Sequence, residues 1–221
     1  MSETYTVLQG DHLSSIAHRF GFTDYRTIWN DPGNAQLKSL RQDPHVLFPG
    51  DEVVIPDKAT GEVDAATQHT HSFIVQRAPL ELVINLEHRF GKPLSNVDCV
   101  FASESETSLV QTDSQGQVRH QVPPTSKTAM LSISETVDIK TGTVQVQRQI
   151  LMKVGWLDPA DEISGQIARL ANLGYYQGSI DTPNQKLLAS AVEEFQCDNG
   201  LIVDGICGPQ TQARLKKVHG C

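Results

Sequence analysis

The sequence predicts an α+β chain of several small domains. It reads as a βααβ module over residues 1–57, a linker over 58–71, a central antiparallel β-sandwich over 72–155 and a C-terminal three-helix module over 156–221. Three observations predict this. Apolar residues recur at i, i+3, i+4, i+7 near both ends, the spacing of one helical face. Between the ends the pattern changes to short β-rich runs separated by turn residues. The last sixty or so residues contain an internal repeat, in which Asp181–Val192 aligns without gaps on Asp204–Leu215.

The first strand spans Thr4 to Leu8 and is rich in β-branched and aromatic residues. Gly10-Asp11 breaks it, and Asp11 is placed to cap the helix that follows. Leu13, Ile16, Ala17 and Phe20 form that helix's apolar face, and Gly21 suits the left-handed residue that closes it. A second helical stretch carries Ile28 and Trp29, and another after Gly33 carries Leu37 and Leu40. Pro49-Gly50 turns the chain into a returning strand from Glu52 to Ile55.

The opening YTV..GD.L..IA and the closing PG..V.IP resemble a LysM domain. That resemblance implies a shallow groove for N-acetylglucosamine-containing glycans between two loops. Gly10, Asp11, His12 and Leu13 would line one side, and Val46, Leu47, Phe48, Pro49 and Gly50 the other. The chain departs from the LysM pattern in one respect: Ala35 to His45 form an insertion between Asn34 and the closing Pro-Gly. The insertion is expected to reshape or cover the groove.

Asp57 to Gln68 is small and polar, as a linker is. His69 and His71 share one face if extended, but no third ligand lies near. From Ser72 to Val154, strands are expected at 80–86, 97–102, 108–111, 118–122, 129–133 and 143–154, separated by Gly91-Lys92-Pro93, Asp113-Ser114-Gln115-Gly116 and Pro123-Pro124. Evenly spaced short strands argue for an antiparallel sandwich. The GKPLSNV…TDSQG rhythm resembles prealbumin-like and carboxypeptidase-regulatory-like sandwiches, which implies a spacer or protein-contact module.

In the C-terminal module, helix one carries Ile163, Ile167, Leu170 and Leu173, and Gly174 stops it. Helix two carries Leu188, Ala191, Val192 and Phe195. After Gly200 and the Asp204-Gly205 turn, Pro209 suits the first position of helix three, which carries Thr211, Leu215 and Val218. The spacing FQ…GL..DG..GP.T, from Phe195-Gln196 to Thr211, resembles peptidoglycan-binding domain 1, a three-helix wall-attachment module. In the repeat's first copy the loop lacks both glycines and the threonine. The resemblance implies wall contacts on the loop surface, and Tyr175, Tyr176, Asp204, Thr211 and Gln212 are the candidates. Tyrosine faces suit sugars and stem peptides, and they equally suit covering a helical core.

The formal net charge is −8, with no basic run. Nucleic acid, which demands clustered Lys and Arg, is disfavoured. No apolar run approaches the ~20 residues of a membrane span. The start Met-Ser-Glu-Thr-Tyr lacks the basic and apolar regions of a signal peptide, so the expectation is cytoplasmic synthesis, followed by delivery to periplasm or cell wall or by assembly into an injection apparatus. Four cysteines without a C-x-x-C pair read as thiols rather than a zinc set. No paired acids, metal-ligand cluster or G-x-S-x-G elbow points to catalysis. The expected function is therefore peptidoglycan binding without enzymatic activity, cofactor or metal. The alternative is a structural adaptor or cargo of a contractile injection or type VI secretion spike, touching spike or tube proteins. Accessory proteins of such machines share the long-insert LysM and the G.LDP..E..G…RL..LG linker that this chain resembles.

Overall fold

The computed structural model describes residues 3–58, 63–73, 78–88, 91–139 and 142–221. Residues 59–62 of the expected linker lie outside them. The chain is mixed α+β: an N-terminal β/α region, central antiparallel sheets and a C-terminal helical region. The N-terminal region runs β1 (Glu3–Thr6), α1 (Leu13–Arg19), α2 (Arg26–Trp29), a 3-10 turn (Pro32–Asn34), α3 (Ala35–Arg41) and β2 (Glu52–Ile55). The centre holds β3 (Leu80–Asn85), β4 (Glu87–His88), β5 (Lys92–Pro93), β6 (Asp98–Ser103), β7 (Thr107–Gln111), β8 (Gln117–Val122), β9 (Thr128–Ile139) and β10 (Gly142–Lys153). Helices α4 (Ile163–Asn172), α5 (Gln185–Asp198) and α6 (Pro209–His219) follow.

Two compact units divide the chain, and neither is one continuous segment. Ser14–Ile28 and Pro56–Gly155 form the first; Ser2–Leu13, Trp29–Ile55 and Trp156–Cys221 form the second.

In the first unit a four-stranded antiparallel sheet has the order β10-β9-β6-β7, and β3 pairs with β8. The two sheets share one core, in which Leu80 and Val122 meet Cys99, Phe101, Leu131 and Ile133. Strand β6 alternates as a half-buried strand must: Cys99 and Phe101 are buried and Val100 between them is exposed. The Phe101 ring lies 4.1 Å from that of His120 on β8. Gly116 opens β8 at φ +76°, and a Cβ there would stand 2.4 Å from the Leu86 carbonyl oxygen, so only glycine fits. The expected short strand at 129–133 is instead part of a twelve-residue arm, paired with β10 from Thr128↔Lys153 to Ile139↔Gly142. Ser134–Ile139 pair with Gly142–Gln147 and carry the ladder beyond the apolar run that marks the strand in sequence.

In the second unit β1 and β2 pair antiparallel, from Glu3↔Ile55 to Thr6↔Glu52. Buried Asn34 extends this pairing: its Nδ2 donates to Val54 O and its Oδ1 accepts from Val54 N, both at 2.7 Å. The insertion forms α3, with Leu37 buried and Leu40 60% exposed. Its last residue, Arg41, donates through Nε and Nη2 to the two carboxylate oxygens of Asp51, each at 2.8 Å. This planar bidentate pair ties the insertion to the loop before β2. Helices α4–α6 bury Ile167, Leu170, Tyr176, Ala191, Val192, Phe195 and Leu215. Gly165 lets α4 approach its own entry segment, since a Cβ there would stand 2.0 Å from Pro159 O. Two expected core positions face outward: Ile163 is 62% and Val218 39% exposed. Each sits at a helix end, a turn beyond the last residue of its helix in the shared core, Ile167 or Leu215.

Candidate functional site

The loop between α5 and α6 is built around one buried amide. Gln196 is 1% exposed. Its Nε2 donates toward Asp204 Oδ1 at 2.8 Å, Ile206 O at 3.0 Å and Thr211 Oγ1 at 3.0 Å. Its Oε1 accepts from the backbone N–H groups of Asp204 and Gly205, both at 3.0 Å. Asp204 Oδ1 also accepts from Ile206 N at 2.9 Å. Hydrogen bonds from Gln196 and then from Ile206 hold the Asp204 carboxyl below its ordinary range. Gly205 sits at φ +69°, where a side chain is strained. The Phe195-Gln196, Asp204-Gly205 and Thr211 elements of the sequence pattern are thus one hydrogen-bonded device.

Gly208 is different. Its backbone is extended at φ −74° and no atom lies within 4 Å of where its Cβ would be. Neither strain nor packing within the chain demands a glycine there; its effect is to bare the surface at the start of α6. Beside it the loop exposes Ile202 at 79%, Val203 at 54% and Ile206 at 67%.

The five C-terminal candidates take different places. Thr211 is buried at the Gln196 amide. Tyr176 is buried; its hydroxyl donates to Ser179 O at 3.3 Å and accepts from Asn184 N at 3.1 Å. Tyr175 is half-buried, edge-on to Phe195, with its hydroxyl donating to Asp198 Oδ2 at 3.2 Å. Asp204 is exposed apart from its loop bonds, and half-buried Gln212 donates to Cys207 O at 2.9 Å.

The N-terminal candidates come together within the second unit. Gly50 N donates to Val7 O, Val7 N to Asp51 O and Leu13 N to Pro44 O, so the loop after β1 lies beside the loop before β2. Asp11 turns its Oδ2 back to Tyr5 Oη at 2.6 Å and Leu8 N at 3.0 Å, which pins the turn after β1 rather than the helix start. His12, Leu13, Val46 and Leu47 are buried. Burial lowers the His12 pKa to about 4, with the neighbouring His45 adding to the effect. Gly10, Asp11, Phe48, Pro49 and Gly50 keep accessible surface, and the Arg41 guanidinium lies 5.7 Å from the Phe48 ring.

The entry segment of the helical region meets these loops. The Trp156 indole Nε1 lies 2.9 Å from where a Gly10 Cβ would be. Gln9 Nε2 donates to Asp158 Oδ1 at 3.4 Å, and Arg41 Nη1 stands 3.9 Å from Asp161. Nothing in the spacing of the sequence announces these approaches across more than a hundred residues.

One arrangement has the look of a nucleophile. Cys221 Sγ lies 3.3 Å from His219 Nδ1, and Asn172 Nδ2 lies 3.0 Å from His219 Nε2. Its ionisation runs the wrong way. Burial pushes the Cys221 thiol up and lowers His219 to about 4, so both are neutral near pH 7, whereas an activated cysteine needs a depressed thiol pKa. Among the described residues, no cluster of three or more His, Cys, Asp or Glu is placed to hold a metal ion.

Residues 168–215 match the family described as "Putative peptidoglycan binding domain". The matched segment contains the second half of α4, all of α5, the Gln196-centred loop and α6 as far as Leu215. This domain points to peptidoglycan as a ligand and to association with the cell wall. No curated protein and no solved structure matches the chain. No helix among the described residues is long and apolar enough to cross a membrane.

Proposed function

We propose that the chain is a non-enzymatic peptidoglycan-binding protein that targets or anchors to bacterial cell wall, reached after delivery to the periplasm. The family match over 168–215 carries this reading. The bared glycine at Gly208 and the exposed Ile202, Val203 and Ile206 support it, because flat apolar surface beside backbone polar groups suits sugar faces and stem peptides. The neutral Cys221–His219 pair supports binding without catalysis. Residues 1–57 act as a LysM-like module, offering Gly10, Asp11, Phe48, Pro49 and Gly50 to N-acetylglucosamine-containing glycan. The core shared by the two central sheets supports a sandwich that serves as a protein-contact module. Two weak sites on one chain gain avidity for a repeating polymer when both engage. Co-sedimentation with purified sacculi tests this: the full chain pellets, and Ile202→Asp/Ile206→Asp reduces the bound fraction at least fivefold. A full chain that stays in the supernatant overturns it.

One observation favours a second reading, an adaptor or cargo of a contractile injection spike. The loops expected to hold glycan are met by the chain's own Trp156–Asp161 segment, as in a module used for protein contact. Recovery of spike or tube proteins with the tagged chain from its host, without muropeptides, favours this reading over the first.

A further inference from the structure

We propose that His12 and His45 form an acid-released latch: near neutral pH it holds the far end of the insertion against the loop after β1, and weak acid lets it go. His12 stands in that loop and is 2% exposed. His45 closes the insertion and is half-buried. Their rings meet edge to face, with centroids 5.9 Å apart. A backbone bond joins the same two segments beside them, Leu13 N donating to Pro44 O at 3.1 Å. Another tie of the insertion, the Arg41–Asp51 ion pair, contains no histidine.

Neutral imidazoles suit such a contact, and two imidazolium ions do not. Each would give up water on burial, and the like charges would repel across the ring contact. The charged groups that act on the pair are Asp11, next to His12, and Asp43, two residues before His45. Both carboxylates are already engaged. Asp11 Oδ2 accepts from Tyr5 Oη and Leu8 N, and Asp43 Oδ1 accepts from His45 N at 2.8 Å. Asp43 also acts on the buried Arg169. Burial outweighs both acids, and it lowers His12 to about 4 and His45 below its ordinary value. The open state therefore takes up protons more readily than the closed one. The latch's contribution is fully present above about pH 6.5, declines as pH falls below it and levels off under about pH 4. Release frees Pro44 and His45, and with them the buried Val46 and Leu47 that follow.

This device goes beyond wall binding and does not depend on which ligand the loops take. Amide hydrogen exchange and imidazole titration, followed by NMR on the labelled full chain, test it between pH 7.5 and pH 5, a range above the ordinary carboxylate values. After correction for intrinsic exchange, opening at the Leu13 amide rises about thirtyfold from His12 alone, the change that a shift from 6.5 to about 4 gives over this range. The Val54 amide, which donates to Asn34 Oδ1 in the same unit, does not follow. Both imidazoles titrate below the ordinary histidine value. Unchanged opening at Leu13, equal acceleration of Leu13 and Val54, or imidazoles that titrate at the ordinary value each overturn the latch. His45→Phe keeps a ring at the contact and removes one titrating group, so the rise at Leu13 is smaller than in the wild type; an equal or larger rise also overturns it. Where that variant does not close at pH 7.5, the wild-type readings decide alone.

Discussion

Asp181–Val192 and Asp204–Leu215 are two copies of one turn-into-helix segment, and different chemistry holds each in place. The second copy hangs on a buried amide from the preceding helix, which satisfies two backbone N–H groups and reaches three acceptors. The first has no such group. Asn184 caps its own helix, accepting from Lys186 N at 3.0 Å and Leu187 N at 3.2 Å, and the Tyr176 hydroxyl bridges Ser179 O to Asn184 N. Leu188 stands where the second copy has Thr211, so an apolar contact replaces a hydrogen bond to the hub. A loop tied at many points by one buried side chain from outside is fixed as a unit. A loop tied by its own cap and two hydroxyls, Tyr176 and Ser179, is fixed at its end. Gly205 and Thr211 stand where the amide organises the backbone, and the first copy has Thr182 and Leu188 in their places.

The comparison breaks most sharply at Gln196. Gln196→Leu keeps the volume and removes every hub bond, leaving Asp204 N and Gly205 N without their acceptor. We expect a local cost of about 3 kcal/mol, from ~1–3 kcal/mol for each buried group left unsatisfied. Hydrogen exchange at the Asp204 and Gly205 amides should quicken by about a hundredfold. Exchange at Lys186 and Leu187 should not move, and equal acceleration of both loops would show that they are not held separately.

Tyr176→Phe is the matching test of the first copy. The ring remains in the core while the hydroxyl's two bonds are lost, for about 1 kcal/mol. Exchange at Asn184 N should quicken several-fold, with Gly205 N unchanged.

The smallest effect is Asp204→Asn, which removes charge but keeps an acceptor. The folded Asp204 carboxyl titrates below its unfolded value. Its contribution is therefore fully present above the ordinary carboxylate range and is lost as pH falls through the depressed folded value. Melting curves of wild type and variant should differ at pH 7 and converge in strong acid. A difference that persists there would mean that the charge does not matter.

Much of the fold was legible because it rests on local rules. The apolar faces of α4 and α5, the turns at Gly10 and Gly205, and Pro209 at the start of α6 each follow from a few consecutive residues. The Gln196 hub was half legible: Phe195-Gln196 stands out by position, but only three dimensions show the amide eight residues from the Asp204 it orders. The Arg41–Asp51 pair, Trp156 against Gly10, and Arg169 among the backbone oxygens of Asp158, Gly165 and Cys221 were not legible. Each joins segments whose periodicities are independent, and a charged or aromatic residue carries no mark of its distant partner. Trp156 in particular reads as part of a bridge between domains, whereas the structure groups it with Ser2–Leu13 and Trp29–Ile55.

That tryptophan gives the molecule a built-in optical probe. The chain has two indoles: Trp29 is 7% exposed, with the Lys38 ammonium 5.8 Å from its ring, and Trp156 is 45% exposed against Gly10. A shielded indole emits at shorter wavelength than a hydrated one, so iodide quenches the red side of the fluorescence band first. Whatever settles on the turn after β1 will change that quenchable component and leave the blue one as an internal reference.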